Sequence, residues 1–382
     1  MTGRERIEAA LSPGGSPEIP VVICYEDIYL RDHWSQLTDL PWWYPDAPDI
    51  ERQLHWREQI MPGLEQDWFG LPSCLPKRER DQRTIVERGD QVFLRDSGTG
   101  AERVLIEPVV GGWSRDVGAA AMRPVVPPRS ALEVDRRIPD SGSRCPSEIR
   151  SAGEADLADA LLAGPARSLL PVERVGSPFW SCYSLWGFEE LMVAVARTPD
   201  LVRRACARFL AQETAAVLHA AARGARAIWI EECLTDMIDP RAFSSISGPP
   251  VEALIREIHA LGMAAIYYYC GDPSDRWDRI LSLGADALSL EESKKGFSID
   301  VEDVVARVRG RMCVLGNLDA ITLLEHGSDA DLAREIGRQV RAGRRNGSRF
   351  IMSIGSPVTP GTTTGKLRRY LEISRELGAA PA

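Results

Sequence analysis

A thiol and a carboxylate stand at matching points of two successive apolar runs in the second half of this chain. Met263 to Tyr267 is strand-like and leads into Tyr268-Tyr269-Cys270-Gly271-Asp272, before a helix-like segment with Trp277, Ile280 and Leu281. Glu291 closes the next run, Ala285 to Leu290, 21 residues after the cysteine. Thiolate and carboxylate on adjacent strand ends are two thirds of a zinc site that activates sulfur. A histidine two residues before the cysteine would complete that pattern, and Tyr268 holds the position. A buried cysteine is ordinarily a small hydrophobe; its place at a strand end brings the reactive and the packing readings of Cys270 level. At least one of Glu291 and Glu292 is expected to be a helix cap or a solvated acid.

Other groups fall at similar points. Glu231-Glu232-Cys233 follows the run Ala227 to Ile230, and Tyr25-Glu26-Asp27 follows Ile19 to Cys24. Adjacent strand residues point to opposite sides, so one of Glu231 and Glu232 faces a lumen; Glu232 is taken as the acid–base candidate. Each could also be a loop salt bridge. Together they are harder to set aside, because every like charge raises the cost of the next. Asn317 and Asp319, in Leu315-Gly-Asn-Leu-Asp319, are expected to bind substrate or to shape a turn and cap a helix. Gly361-Thr-Thr-Thr-Gly-Lys366 is not a phosphate loop: three residues separate its glycines and Leu367 follows the lysine. The five histidines form no motif, and His259 and His326 read as structural. Trp34, Trp42, Trp43, Trp56 and Trp68 crowd into 35 residues, half of the ten tryptophans. They predict a lid packed on the barrel, or flat faces over its mouth for an aromatic ring or a cation.

The elements that would position these residues alternate. Apolar runs at Ala225–Ile230, Met263–Tyr269, Ala285–Leu290, Met312–Leu315 and Phe350–Ile354 are separated by helical patterns at 249–261, 274–283, 301–308 and 331–342, and 364–377 closes the chain. Short connections between alternating strands and helices predict a parallel sheet. Five such strands in about 130 residues favour a (β/α)8 TIM barrel. No glycine-rich dinucleotide fingerprint follows any of the strands. In the first half, Ile19–Cys24 reads as the first barrel strand after an N-terminal extension with a short helix, Arg4–Leu11, and Val175–Phe179 as the second. Thr84–Phe93 and Glu102–Val109 read as an antiparallel hairpin or meander, and 127–164 as a surface excursion with one helix. The whole is one domain, 1–382, carrying an insertion at about 80–165.

Bulk properties narrow the partners. With 382 residues, 44% hydrophobic and 26% charged, the chain can bury a large core. A formal charge of −9 argues against nucleic acid, which needs clustered lysine and arginine. No run approaches the roughly 20 apolar residues of a membrane span, and the first residues lack the apolar core of a signal peptide. Eight scattered cysteines without paired spacing point to a reducing, cytoplasmic setting.

Several of these segments, in their order along the chain, resemble the uroporphyrinogen decarboxylase-like superfamily. They are Arg4-Glu-Arg-Ile7 running to Ile19-Pro-Val-Val22, Tyr269-Cys-Gly271, Leu283-Gly-Ala-Asp286, Gly316-Asn-Leu-Asp319 and Phe350-Ile-Met-Ser-Ile-Gly355. The resemblance implies a (β/α)8 barrel. True porphyrinogen decarboxylases carry an arginine-rich segment after the first strand, where this chain has Cys24-Tyr-Glu-Asp-Ile-Tyr-Leu-Arg31. The resemblance is closer to the zinc-dependent branch that moves methyl groups to and from corrinoid proteins. It implies zinc on Cys270 and Glu291; Tyr268 replaces a ligand histidine and Ser356 the last ligand cysteine, so Cys233, Glu231 or Glu232 would have to complete the set. The expected function is methyl transfer between a small substrate, an aromatic ether or a methylated amine, and a corrinoid on a partner protein. Tyr268, Glu232 and Cys270 would be catalytic, and Tyr25, Glu26, Asn317 and Asp319 would bind substrate. The alternatives are a metal-free decarboxylase or other lyase acting on a small acid, and a non-catalytic barrel that has lost its metal.

Overall fold

The computed structural model describes residues 1–112, 126–140, 142, 144–293 and 296–380. Its first strand is short: β1, Trp68–Gly70. Three antiparallel strands follow, β2 (Arg83–Arg88), β3 (Gln91–Asp96) and β4 (Glu102–Leu105), in a separate sheet of order β2-β3-β4. Then come β5 (Leu170–Gly176), β6 (Ala227–Glu232), β7 (Ala264–Tyr269), β8 (Ala287–Leu290), β9 (Cys313–Leu315) and β10 (Phe350–Ile351). These six join β1 in one parallel sheet whose neighbours follow chain order, β1-β5-β6-β7-β8-β9-β10. Strands such as β6 and β7 are apolar on both faces, as a sheet covered by helices requires.

The segment 19–24 closes the sheet. Val22 N donates to Met352 O (2.9 Å) and Met352 N to Pro20 O (2.8 Å), while on its other edge Asp67 N donates to Val21 O (2.9 Å). It is the first stave, lying between β1 and β10 and bringing the number to eight, and the result is a (β/α)8 barrel. Asp67 fixes this seam. Its fully buried carboxylate accepts from Val21 N (2.7 Å), from Arg6 Nη2 (2.9 Å) and from Arg375 Nη1 (2.6 Å). One side chain thereby ties together helix Gly3–Leu11, the first stave and the closing helix Thr364–Gly378.

Helix ends follow ordinary capping. Ser328 and Thr363 accept from the backbone N–H three residues on, and Gly224 (φ +100°) ends the long helix Pro199–Arg223 in the left-handed conformation. Among the described residues no helix is long and apolar enough to cross a membrane.

Four expectations need correction. Val175–Phe179 is not the second stave: the strand runs Leu170–Gly176, is third in the barrel, and Pro178 opens a helix. The second stave is β1, which three residues within the tryptophan-rich stretch do not betray. Thr84–Phe93 is not one strand, because Gly89 (φ +57°) turns the chain between β2 and β3; the following strand stops at Leu105. The excursion holds three helices, Ala131–Arg137, Pro146–Ser151 and Asp156–Ala163; residues 113–125, 141 and 143 of the insertion lie outside the described ones. The antiparallel sheet has its own small core, in which Val92 and Leu105 pack with Trp43 and Ala47.

Candidate active site

Side chains on β6 alternate between lumen and helices. Trp229, Glu231 and Cys233 face inward, where Trp229 stacks on Tyr268 of β7 (centroids 5.0 Å apart) and meets Tyr25 edge-on at 6.1 Å. Trp68 of β1 closes on the other side of Trp229 at 5.7 Å. This aromatic group floors the barrel's C-terminal end. Above it, Tyr25 Oη donates to Glu231 Oε1 (3.3 Å), and the Arg174 guanidinium lies over the Tyr25 ring, paired with Asp27 (2.9 Å) and reaching Glu231 at 3.9 Å. Burial, with the Glu231 charge beside it, holds the Tyr25 phenol well above the usual range. Burial likewise raises Glu231, and Arg174 opposes the rise.

A cavity of about 640 Å³ opens at this end, between the first stave, β1, β5 and helix Ile50–Leu64. Its walls include Trp34, Trp42, Trp56, Trp68, Trp229 and Tyr25. Four of the five clustered tryptophans thus surround an open space, and Trp43 belongs instead to the small core of the antiparallel sheet. Size and lining are those of a small-molecule site. Glu26 enters it with Oε2 bound by Gln66 Nε2 (2.8 Å) and Gly70 N (3.3 Å). Desolvation pushes the Glu26 carboxyl up to about 7. Arg57 also reaches the cavity, its guanidinium 4.0 Å from the centre of the Trp56 ring.

The structure divides the remaining expected site residues. Tyr25 and Glu26 line the cavity. Tyr268 sits behind Trp229, fully within the aromatic floor, beside the cysteines. Cys233 and Cys270 follow paired strands, with Cys270 N bound to Glu232 O (2.9 Å), and their thiols are hydrogen-bonded; that bond, with burial, raises the Cys233 thiol far above its ordinary value. Glu232, the expected acid–base residue, does not enter the lumen. Its carboxylate faces the helices and accepts from Ser177 Oγ (2.7 Å), Ser247 Oγ (2.7 Å) and Tyr267 Oη (3.2 Å), while burial lifts it to about 7. The phase of β6 makes Glu231 the lumen carboxylate. Asn317 and Asp319 bind the fold: Asn317 Nδ2 donates to Glu291 O (3.1 Å) and Ile299 O (2.9 Å), and Asp319 caps the helix that follows.

The zinc pattern is not completed. The Ser356 hydroxyl donates to Glu292 Oε1, and Gly355 leaves no room for a side chain, since a Cβ there would fall 2.4 Å from Glu292 N. Among the described residues no three or more His, Cys, Asp and Glu side chains are grouped to hold a metal ion. With Tyr268 packed on Trp229, the donor set does not fit the tetrahedral zinc site that Cys270 and Glu291 would begin.

Comparison with known proteins agrees with the barrel. The family model described as uroporphyrinogen decarboxylase (URO-D) matches residues 173–377, just over half of the chain. The chain belongs to the uroporphyrinogen decarboxylase family. The matched part contains β6 to β10 with Glu231 and Cys270, while Tyr25, Trp68 and most of the cavity wall lie ahead of it. A solved methyltransferase from Methanosarcina mazei is 17% identical and superposes over 98% of both chains with a TM-score of 0.61, so this family member shares its fold. A xylose isomerase domain protein from Alicyclobacillus acidocaldarius subsp. acidocaldarius, 16% identical, covers 66% of this chain and 96% of its own with a TM-score of 0.37. No curated protein matches the sequence. Within the family site, sequence reasoning passed over Arg57, Arg174 and Trp229. Arg174 carried a signal, two residues before the end of a barrel strand; Arg57, on a covering helix, carried none.

Proposed function

We propose that the chain is a methyltransferase of the uroporphyrinogen decarboxylase family, moving a methyl group between a small substrate in the tryptophan-walled cavity and a corrinoid presented by a partner protein. The observation that carries this reading is the cavity itself, an aromatic space at the barrel end where such folds keep their chemistry. Family membership and the fold shared with a methyltransferase support it. Methyl leaves its heteroatom as a cation equivalent, and the electron pair of the broken bond stays on that heteroatom, which must take a proton. Tyr25 lines the cavity and donates to Glu231, whose carboxyl burial raises, so the pair can relay a proton to the heteroatom at the lumen edge of the cavity. The residues present do not complete a zinc site, and elemental analysis of protein purified without chelator is expected to return less than one zinc per chain. A full equivalent lost in Cys270→Ala would reverse that.

Incubation with methylcobalamin or cob(I)alamin and thiol, methyl-ether or methylamine substrates should give turnover. Tyr25→Phe should lower it by roughly 10²-fold, the scale of a lost general acid. No turnover and no corrinoid binding would overturn the reading. A metal-free decarboxylase acting on a small acid is the second reading. Arg57, a cation in the cavity without a carboxylate partner among the described residues, favours it, and carbon dioxide release indifferent to chelator is its test.

A further inference from the structure

Most charges lining the cavity are already spent. Arg31 is bound to Asp32 (2.9 Å), Arg174 to Asp27 (2.9 Å), and Glu173 to Arg223 (2.8 Å). Arg57 is different. Among the described residues its guanidinium hydrogen-bonds to Gln53 alone, through Nη1 to the carbonyl (2.9 Å) and to Oε1 (2.6 Å), and otherwise lies on Trp56. A desolvated guanidinium without an anion is costly, and its planar fork matches a carboxylate. The acids that could neutralise it do so poorly. Glu26, whose charge acts on Arg57 without an ion pair, is raised by burial to about 7 and so is ionised only in part near neutrality; burial also raises Asp46, and Glu107 is exposed at the rim. Burial lowers Arg57 to about 10, which leaves it charged.

The rest of the wall is flat and apolar. Trp34 meets Trp56 edge-on at 5.5 Å and Trp68 meets Trp229 at 5.7 Å, which makes two rigid corners for a planar ring.

We propose that this cavity takes a planar aromatic carboxylate, the ring held among the tryptophans and the carboxylate on the free edge of Arg57. The assignment names the ligand class of the site proposed above and rests on that cavity being the ligand site, under either reading of the chemistry. The opening of the molecule is acidic in sum, yet Arg57 is a deep cation without an ion-pair partner among the described residues, so an anion of this shape is selected over a cation.

Binding tests it without any turnover. Benzoate, benzamide and benzyltrimethylammonium, an anion, its neutral counterpart and a cation, are titrated against the full chain by calorimetry and by quenching of tryptophan fluorescence. Benzoate should bind roughly tenfold or more tighter than benzamide, and R57Q should lower benzoate affinity roughly ten- to a hundredfold while leaving benzamide unchanged. R57K, which keeps the charge and loses the fork, should fall between, and near-ultraviolet circular dichroism establishes that both variants are folded. Equal binding of benzoate and benzamide, preference for the cation, benzoate affinity untouched in R57Q, or no binding of any probe would each overturn the proposal. A negative corrinoid assay would leave these titrations standing, so the two failures are distinguishable.

Discussion

Glu232 shows what burial does to a carboxyl that takes no part in the lumen. Three hydroxyls surround it, and desolvation still leaves it near 7 instead of the ordinary 4.5. The folded chain therefore holds a proton that the unfolded chain has released over that interval. Stability contributed by this group is complete below about 4.5 and declines as pH rises through about 7, by roughly 3 kcal/mol in total. Thermal or urea unfolding from pH 5 to 8 should show this slope, and Glu232→Gln should flatten its share while Glu26, which shifts the same way, preserves the remainder. An unchanged slope in the variant would mean that the carboxyl is ionised in the fold. The sequence reading placed an acid at this strand end but chose the wrong member of the pair. Alternation says that one of two neighbours faces in; which one depends on strand phase, and here Trp229, lodged between Ile228 and Ile230, sets it.

At the scale of elements, the seam between the first stave and β1 depends on Asp67. Its charge is fully buried and satisfied by two arginines and a backbone N–H. Asp67→Ala would leave Arg6 and Arg375 facing a desolvated gap, and we expect a loss of about 3–5 kcal/mol, read as a drop in the urea midpoint. A change below about 1 kcal/mol would show that the staves close without it. Periodicity made the later elements legible, since 3.6-residue helices and fully apolar strands alternate from Ala227 onward. It failed at β1, where three residues are too few to carry a period, and at Gly89, where a turn interrupts an alternation that continues on both sides. It also could not reveal that helix Ile50–Leu64 would bring Arg57 to the cavity, because that is a fact of packing between distant parts.

For the whole molecule, the barrel and its family were readable from the order of short motifs, none of them telling alone. The zinc expectation came from the same resemblance, and it meets a lumen in which Tyr268 has become part of an aromatic floor. The cavity brings the N-terminal covering segment and the barrel to one place: the tryptophans that wall it come from the connection ahead of β1, from helix Ile50–Leu64 and from staves β1 and β6. Under the function proposed above, specificity lies mainly in the covering segment and reactivity mainly in the strand ends.

Closure of the ring also sets an order in time. The stave at 19–24 takes its hydrogen bonds on one edge from Met352, more than three hundred residues downstream. Pairings of such separation close late, because the entropy of the intervening loop must be overcome before the contact gives anything back. During synthesis that stave would stand with one edge of unpaired N–H and C=O groups until the ribosome had released the segment around Phe350. A nascent chain halted before that point would be sticky at this stave, and a chaperone would find its work there.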